Sequence, residues 1–452
     1  MTRNSPKILV ADLVGLAFDA AGEPDCSGFR AHVESGGGRF HIGSARAVRA
    51  EEGRAGFFYM PHLSTSDALI AEAGDGLYDA VIAAATFLPA GTRFDLGGVR
   101  IGTGTGNMGS ASWGGGDGLG GAAPLMNTPG INARATAQMV MKALIRQRPD
   151  LPVEALHALV VAGRFDTGRD LAQYPTRKLE GQRLAVIGYG NIGREVALLA
   201  RAFGMEVVIH ARPRHRLWIQ SEGFRWAASP EEAAIGADAL SVHLGLGPKG
   251  PEGFANAGLI NEAVLAALAP GAVLLNYDRG ELVDIPALDR ALSAGQVGFA
   301  AIDADLFSDA AGALSGPMQP YLALVARHGA RLSLLPHAAA DTDHPTRVAG
   351  AIQAADQLLE AIRNRVVRNL KGDLPEGYSD GGPLTPAGLG GVAKPDLARV
   401  AGSGLGAAAA DFAAGMARLE AGNVSQGEAL VLAANRLSTL MREAGLAGPW
   451  KG

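Results

Sequence analysis

The chain of 452 residues holds a single cysteine, Cys26. One thiol closes no internal disulfide and builds no cysteine-based zinc centre. A reducing, cytoplasmic setting is the expectation, and no metal site is predicted. Positive charge is also scarce. Lys and Arg number 40 against 45 Asp and Glu, for a formal net charge of −5. Without a basic excess to neutralise phosphates, the composition argues against general nucleic-acid binding. No apolar run reaches the roughly 18 residues that cross a bilayer. The first apolar stretch, Lys7 to Ala11, is interrupted by Asp12 and reads as a strand, not a signal segment. Aromatic residues make up 6% and charged residues 19%, yet 48% are hydrophobic, so real cores are affordable. At roughly 100–200 residues per domain, two or three domains are expected.

What the chain has in quantity is glycine, 63 residues of it. In residues 5–150 short apolar runs alternate with glycine-rich loops. Leu77–Ala85 and Val99–Thr103 read as buried parallel strands. Met108–Ala123 is so rich in glycine that it reads as a loop, either a flexible insertion or a mobile flap. Residues 131–147 have helical spacing without a breaker. A strand to Gly188, a helix from Asn191 to Gly204 and a strand from Glu206 to His210 follow. Further strands are expected at Ala239–Leu244, Ala272–Asn276 and Gly298–Asp303. This strand-helix rhythm predicts an α/β fold with doubly wound parallel sheets. A helical stretch from His337 to about Asn369 returns to the first domain. A breaker-rich linker, Lys371–Pro395, then leads to helices over 396–446. The expected division is 1–130 with 338–370, then 131–337, then a helical extension over 371–452.

Gly188-Tyr189-Gly190-Asn191-Ile192-Gly193 is a G-x-G-x-x-G that follows an apolar strand and opens a helix. That context makes it a dinucleotide fingerprint. Gly188 permits the turn, Gly190 lets backbone approach a pyrophosphate, and Gly193 lets helix and strand pack. The helix N-terminus offers its free N–H groups to the phosphates. An NAD site usually carries an acid at the end of the next strand. Here Ala211 stands there, followed by Arg212, Arg214 and Arg216. Removing the acid and adding guanidinium groups favours a 2′-phosphate, so NADP(H) is expected, with NAD possible as the weaker choice.

Three stretches then resemble the D-isomer-specific 2-hydroxyacid dehydrogenase family in order. They are the fingerprint, Leu275–Asp284 (LNYDRGELVD, like N-x-x-R-G-x-x-V-D) and Leu335–Ala339 (LPHAA, like P-H-x-G/A). Ala300–Asp303 resembles the family's A-x-D segment, and Asn127–Ala133 the entry to its first interdomain helix. The resemblance implies two Rossmann-like domains with a cleft between them and oxidoreduction between a nicotinamide and a small 2-keto or 2-hydroxy acid. It assigns His337 as proton donor, Arg279 as the group that clamps the carboxylate, and Asp303 and His243 to the cofactor's surroundings. The chemistry agrees with it. An imidazole with an ordinary pKa of about 6.5 moves protons near neutrality. A guanidinium forks onto a carboxylate and polarises a carbonyl.

The chain departs from the family at two places. Ser308 stands where the family carries the glutamate that pairs with the histidine. Asp309, one residue on, is the expected substitute, with Asp305 and Asp341 close by. Ala84-Ala85-Thr86 lacks the polar or basic pair of phosphate-using members, which argues against a phosphorylated substrate. The loop Gly102–Asn107 offers backbone N–H groups for a carboxylate, around Thr105 and Gly106. A homodimer is expected, with the alanine-rich tail as assembly or cleft-covering element. Oxidation of a larger sugar acid, and a cofactor-sensing protein with weak turnover, stay open as alternatives.

Overall fold

The computed structural model describes residues 5–48, 53–146, 152–174, 178–251, 253–308, 312–336, 343–384, 404–422 and 427–443. The chain divides into two compact units. One is Met1–Val14, Phe18–Ile131 and Val348–Gly452; the other is Gly15–Ala17 and Asn132–Arg347.

The first unit is built on β1 (Lys7–Val10), β2 (Arg39–Ile42), β3 (Gly56–Tyr59), β4 (Ala80–Ala83), β5 (Gly98–Arg100) and β6 (Leu125–Asn127). These run parallel in the order β6-β5-β4-β1-β3-β2. The strand Leu370–Lys371 adds to β6 antiparallel, with Leu370 opposite Met126. Alternate residues of a strand face opposite sides, and both sides here are covered. Ile8 and Val10 join one core with Phe29, Ile82 and the Ala351, Ala354 and Leu358 of helix His344–Asn364. Leu9 and Ala11 join the other with Leu69, Val81 and Trp113.

The second unit has β7 (Arg183–Ile187), β8 (Glu206–His210), β9 (Arg225–Ala227) and β10 (Ala239–Val242), then Ala272–Asn276, Val297–Ala304 and Leu332–Pro336. All seven are parallel. Chain order reverses between β7 and β10, which lie side by side. Such a switch point opens a crevice at the carboxyl ends of the strands, where open α/β sheets bind ligands.

Two expectations need adjustment. Met108–Ala123 is neither a loose insertion nor a free flap. Trp113 is fully buried and stacks on Phe94 at 5.9 Å, and its indole donates to the Met108 carbonyl at 2.7 Å. A Cβ on Gly121 would lie 2.0 Å from the Trp113 backbone, so glycine there is a packing requirement. The linker reading holds only in part. Glycine and proline end helices but leave edge pairing intact. Ser379–Gly382 pairs with Val366–Arg368, and Leu370–Lys371 completes the first sheet. Residues 385–403 lie outside the described ones. The tail is helical, with Leu405–Glu420 and Gly427–Glu443 packed on each other. Among the described residues no helix is long and apolar enough to cross a membrane.

Candidate active site

β7 ends at Ile187, and the chain turns at Gly188 with φ +102°. A Cβ on Gly188 would sit 2.1 Å from the His243 carbonyl, and one on Gly193 2.1 Å from the Gly188 carbonyl. Both glycines are therefore forced by the close approach of β7, β10 and the helix Asn191–Ala202. Gly190 differs. Nothing lies within 4 Å of its Cβ position, and it caps that helix. Its open face beside unsatisfied helix N–H groups is where a phosphate would lie. Asn191 opens the helix and Ile192 is half-buried against the core. The Tyr189 side chain turns away from the open face. It is 4% exposed and its hydroxyl donates to Glu222, so only its backbone belongs to the turn's outer surface.

His243 follows β10 and is buried beneath the turn. Burial pushes its imidazole down to about 3, so the ring is neutral near pH 7. Nε2 pairs with the Ser241 hydroxyl at 2.7 Å, while Nδ1 finds no partner among the described residues. An orphaned buried polar atom behind an open glycine face fits a site built to hold a ligand.

β8 ends at His210, whose carbonyl accepts from the Gly188 N–H at 2.8 Å. Ala211 is buried and its carbonyl accepts from the Trp226 indole at 2.9 Å. Arg212 and Arg214 are exposed on the turn that follows, and Arg216 lies over the Trp226 ring. No acid occupies the strand end.

At the same edge of this sheet, Ala272–Asn276 delivers Arg279. The buried Asn276 amide donates to the Arg279 carbonyl at 2.8 Å, and Tyr321 donates to the Gly280 carbonyl at 2.6 Å. The loop is thus pinned at the carbonyls of Arg279 and of the residue that follows it. The Arg279 side chain keeps partial exposure and reaches the Asp305 carboxylate at 3.7 Å. Asp303, at the end of Val297–Ala304, is 2% exposed. Burial first, and the Asp303 charge second, push the Tyr277 hydroxyl up to about 12. Sequence reasoning passed over Tyr277, although its place inside the LNYDRG stretch was a usable signal.

The first unit holds its loops with equal care. Asp12 accepts from the Ala85 and Thr86 N–H groups at 2.6 and 2.7 Å, at the switch between β1 and β4. The Asn107 amide donates to the Ala84 and Thr86 carbonyls. Thr105 is 5% exposed and its hydroxyl donates to the Gly116 carbonyl at 2.6 Å, which commits that hydroxyl to the glycine segment. Gly106 is exposed with nothing within 4 Å of its Cβ position, so it is the residue of the pair open to a ligand. Ser308 is exposed, in a short strand paired with Leu314–Ser315. His337, Asp309 and Asp341 lie outside the described residues.

Residues 151–337 match the sequence profile for the NAD-binding domain of D-isomer-specific 2-hydroxyacid dehydrogenases. The chain is 33% identical over 246 residues to a glyoxylate reductase of Aeropyrum pernix, which covers 54% of this chain and 68% of that protein. It is 31% identical to a D-3-phosphoglycerate dehydrogenase of Haemophilus influenzae, over 40% of each chain. The fold is shared with an NAD+-bound 3-phosphoglycerate dehydrogenase of Entamoeba histolytica. That match has a TM-score of 0.55 at 18% identity and covers 82% of this chain and 99% of that one.

Proposed function

Because the chain belongs to the D-isomer-specific 2-hydroxyacid dehydrogenase family, we propose that it reduces a small 2-keto acid, reversibly, with NADP(H) as the preferred cofactor. The observation that carries this is the shared sheet edge. The open glycine turn after β7, the exposed arginines after β8 and the pinned Arg279 all sit at the carboxyl ends of parallel strands in one unit. In this reading residues 131–337 hold the cofactor, 1–130 with 338–370 supply acid-binding loops, and 371–452 form an accessory extension.

The backbone of Gly188–Gly193 and the helix beginning at Asn191 hold the pyrophosphate. Arg212 and Arg214 hold the 2′-phosphate. When bound, the reduced nicotinamide supplies a hydride. Arg279 binds the substrate carboxylate and orients the keto group. His337 donates the proton that turns the developing alkoxide into an alcohol, and Asp309 stabilises its charged form. Asp303 sits near the nicotinamide end. The setting is cytoplasmic and the assembly a homodimer. Ala84–Thr86 carries no cationic side chain, which supports an unphosphorylated acid such as glyoxylate or hydroxypyruvate.

The test is oxidation of NADPH and of NADH, followed by absorbance, against glyoxylate, hydroxypyruvate and larger 2-keto acids. NADPH turnover that His337→Ala abolishes is the expected result. Ala211→Asp should then move preference toward NADH. Tight cofactor binding with no turnover on any of these acids overturns the reductase reading.

A further inference from the structure

The helix that follows the arginine turn is tied to the glycine turn through one largely buried carboxylate. Glu222 directly follows the helix Arg216–Ser221, and that helix begins where the arginine turn ends. Its carboxylate accepts from the Tyr189 hydroxyl, inside the glycine turn. It also accepts from Arg194, in the first turn of the following helix, through Nε at 2.9 Å and with Nη2 at 2.8 Å. The Glu222 and Arg194 side chains are only 12% and 15% exposed. Trp218, on the same short helix, packs edge-on to Tyr189 at 5.0 Å and against His215 at 5.5 Å. Beside the direct bond from the Gly188 N–H to the His210 carbonyl, Glu222 thus adds a second tie, between the helix behind the arginine turn and the glycine turn.

We infer that Glu222 is a positioning residue for cofactor discrimination: through Tyr189 and Arg194 it holds Arg212 and Arg214 at the spacing that a 2′-phosphorylated dinucleotide requires. The inference rests on the NADP(H) reading above. The physical argument is one of preorganisation. A guanidinium on a surface turn gains little from a phosphate if the turn must first be ordered, because the ordering cost subtracts from the contact. Tethering the helix behind the turn removes that cost. Burial would raise the Glu222 carboxyl, but the Arg194 and Tyr189 hydrogen bonds outweigh it and hold the group below its ordinary value. The tether is therefore ionised near neutral pH.

Calorimetric binding of 2′,5′-ADP and of 5′-AMP to the full chain tests this without turnover, since the two probes differ only in the 2′-phosphate. Wild type should bind 2′,5′-ADP more tightly, and Arg212→Ser with Arg214→Ser should erase the difference. Glu222→Gln, close in shape but uncharged, should shrink the difference about tenfold, as expected for loss of a charge-assisted contact, while 5′-AMP binding holds. Tyr189→Phe keeps the Glu222–Arg194 pair and should shrink it less; it carries the test if Glu222→Gln does not fold. A difference erased by the arginine variant but untouched by Glu222→Gln and Tyr189→Phe overturns the inference and leaves the cofactor reading standing. Equal weakening of both probes makes Glu222 merely structural and also overturns it. Equal binding of the two probes by wild type removes the cofactor reading and the inference together.

Discussion

At the scale of single residues, the site depends on side chains that are held before any ligand arrives. Arg279 is the clearest. Asn276 and Tyr321 fix the carbonyls of Arg279 and of the residue after it, so the backbone that carries the guanidinium is held in place. Arg279→Ala should raise KM for the keto acid and lower kcat, with kcat/KM falling about 100-fold for loss of a charged clamp. Unchanged steady-state kinetics would remove it from the site. His243 gives a prediction on stability. An unfolded imidazole takes up its proton near 6.5, whereas this buried one does so only near 3. Between those values the unfolded state binds more protons, so stability falls as pH falls, with a slope of up to about 1.4 kcal/mol per pH unit. Thermal melts from pH 7 to pH 4 should show a steeper loss in wild type than in His243→Gln. Gly188 and Gly193 were legible in the sequence because a Cβ at either would collide with backbone. The burial of His243, the inward turn of Tyr189 and the capture of the Thr105 hydroxyl were not. They depend on which neighbour arrives from elsewhere in the chain.

At the scale of elements, strands and helices were legible wherever apolar period and glycine punctuation agreed. Ala272–Asn276 and Glu206–His210 fall where the pattern puts them. The Met108–Ala123 segment was misleading, because glycine signals both flexibility and close packing. Trp113 decides between the two, and its partners Phe94 and Met108 are visible only in three dimensions. Trp113→Ala should therefore cost about 3–5 kcal/mol, as for other buried large aromatics. Denaturant unfolding of the first unit should shift accordingly, and a shift of a few tenths of a kcal/mol would restore the loose-loop view. The segment after helix His344–Asn364 was hidden for a related reason. Strand pairs of two to four residues are too short to show a period, and Leu370–Lys371 is specified by the edge of β6 that it covers.

At the scale of the whole molecule, the tail is the part least tied to the catalytic reading. Its two helices pack on each other, yet Ala408 is the one residue of theirs fully buried among those described, and Val431 and Leu432 remain 58% and 63% exposed. A two-helix hairpin buries too little to be stable alone. If it pairs with a second copy, removing residues 385–452 should halve the mass seen by light scattering and leave cofactor binding intact. An unchanged mass would make the tail an appendage of its own subunit.

The first unit is assembled from distant stretches of chain, and this sets an order of events during synthesis. Its sheet begins with Lys7–Val10, but one face is covered by helix His344–Asn364 and one edge by Leu370–Lys371. The second unit, apart from Gly15–Ala17, is continuous from Asn132 to Arg347. On the ribosome the later-coded unit can therefore close first. The earlier one waits, with apolar strand faces uncovered, until residues 344–371 have been made. Slow elongation through the stretch between would lengthen the wait, and the half-made first sheet is where a chaperone would be needed.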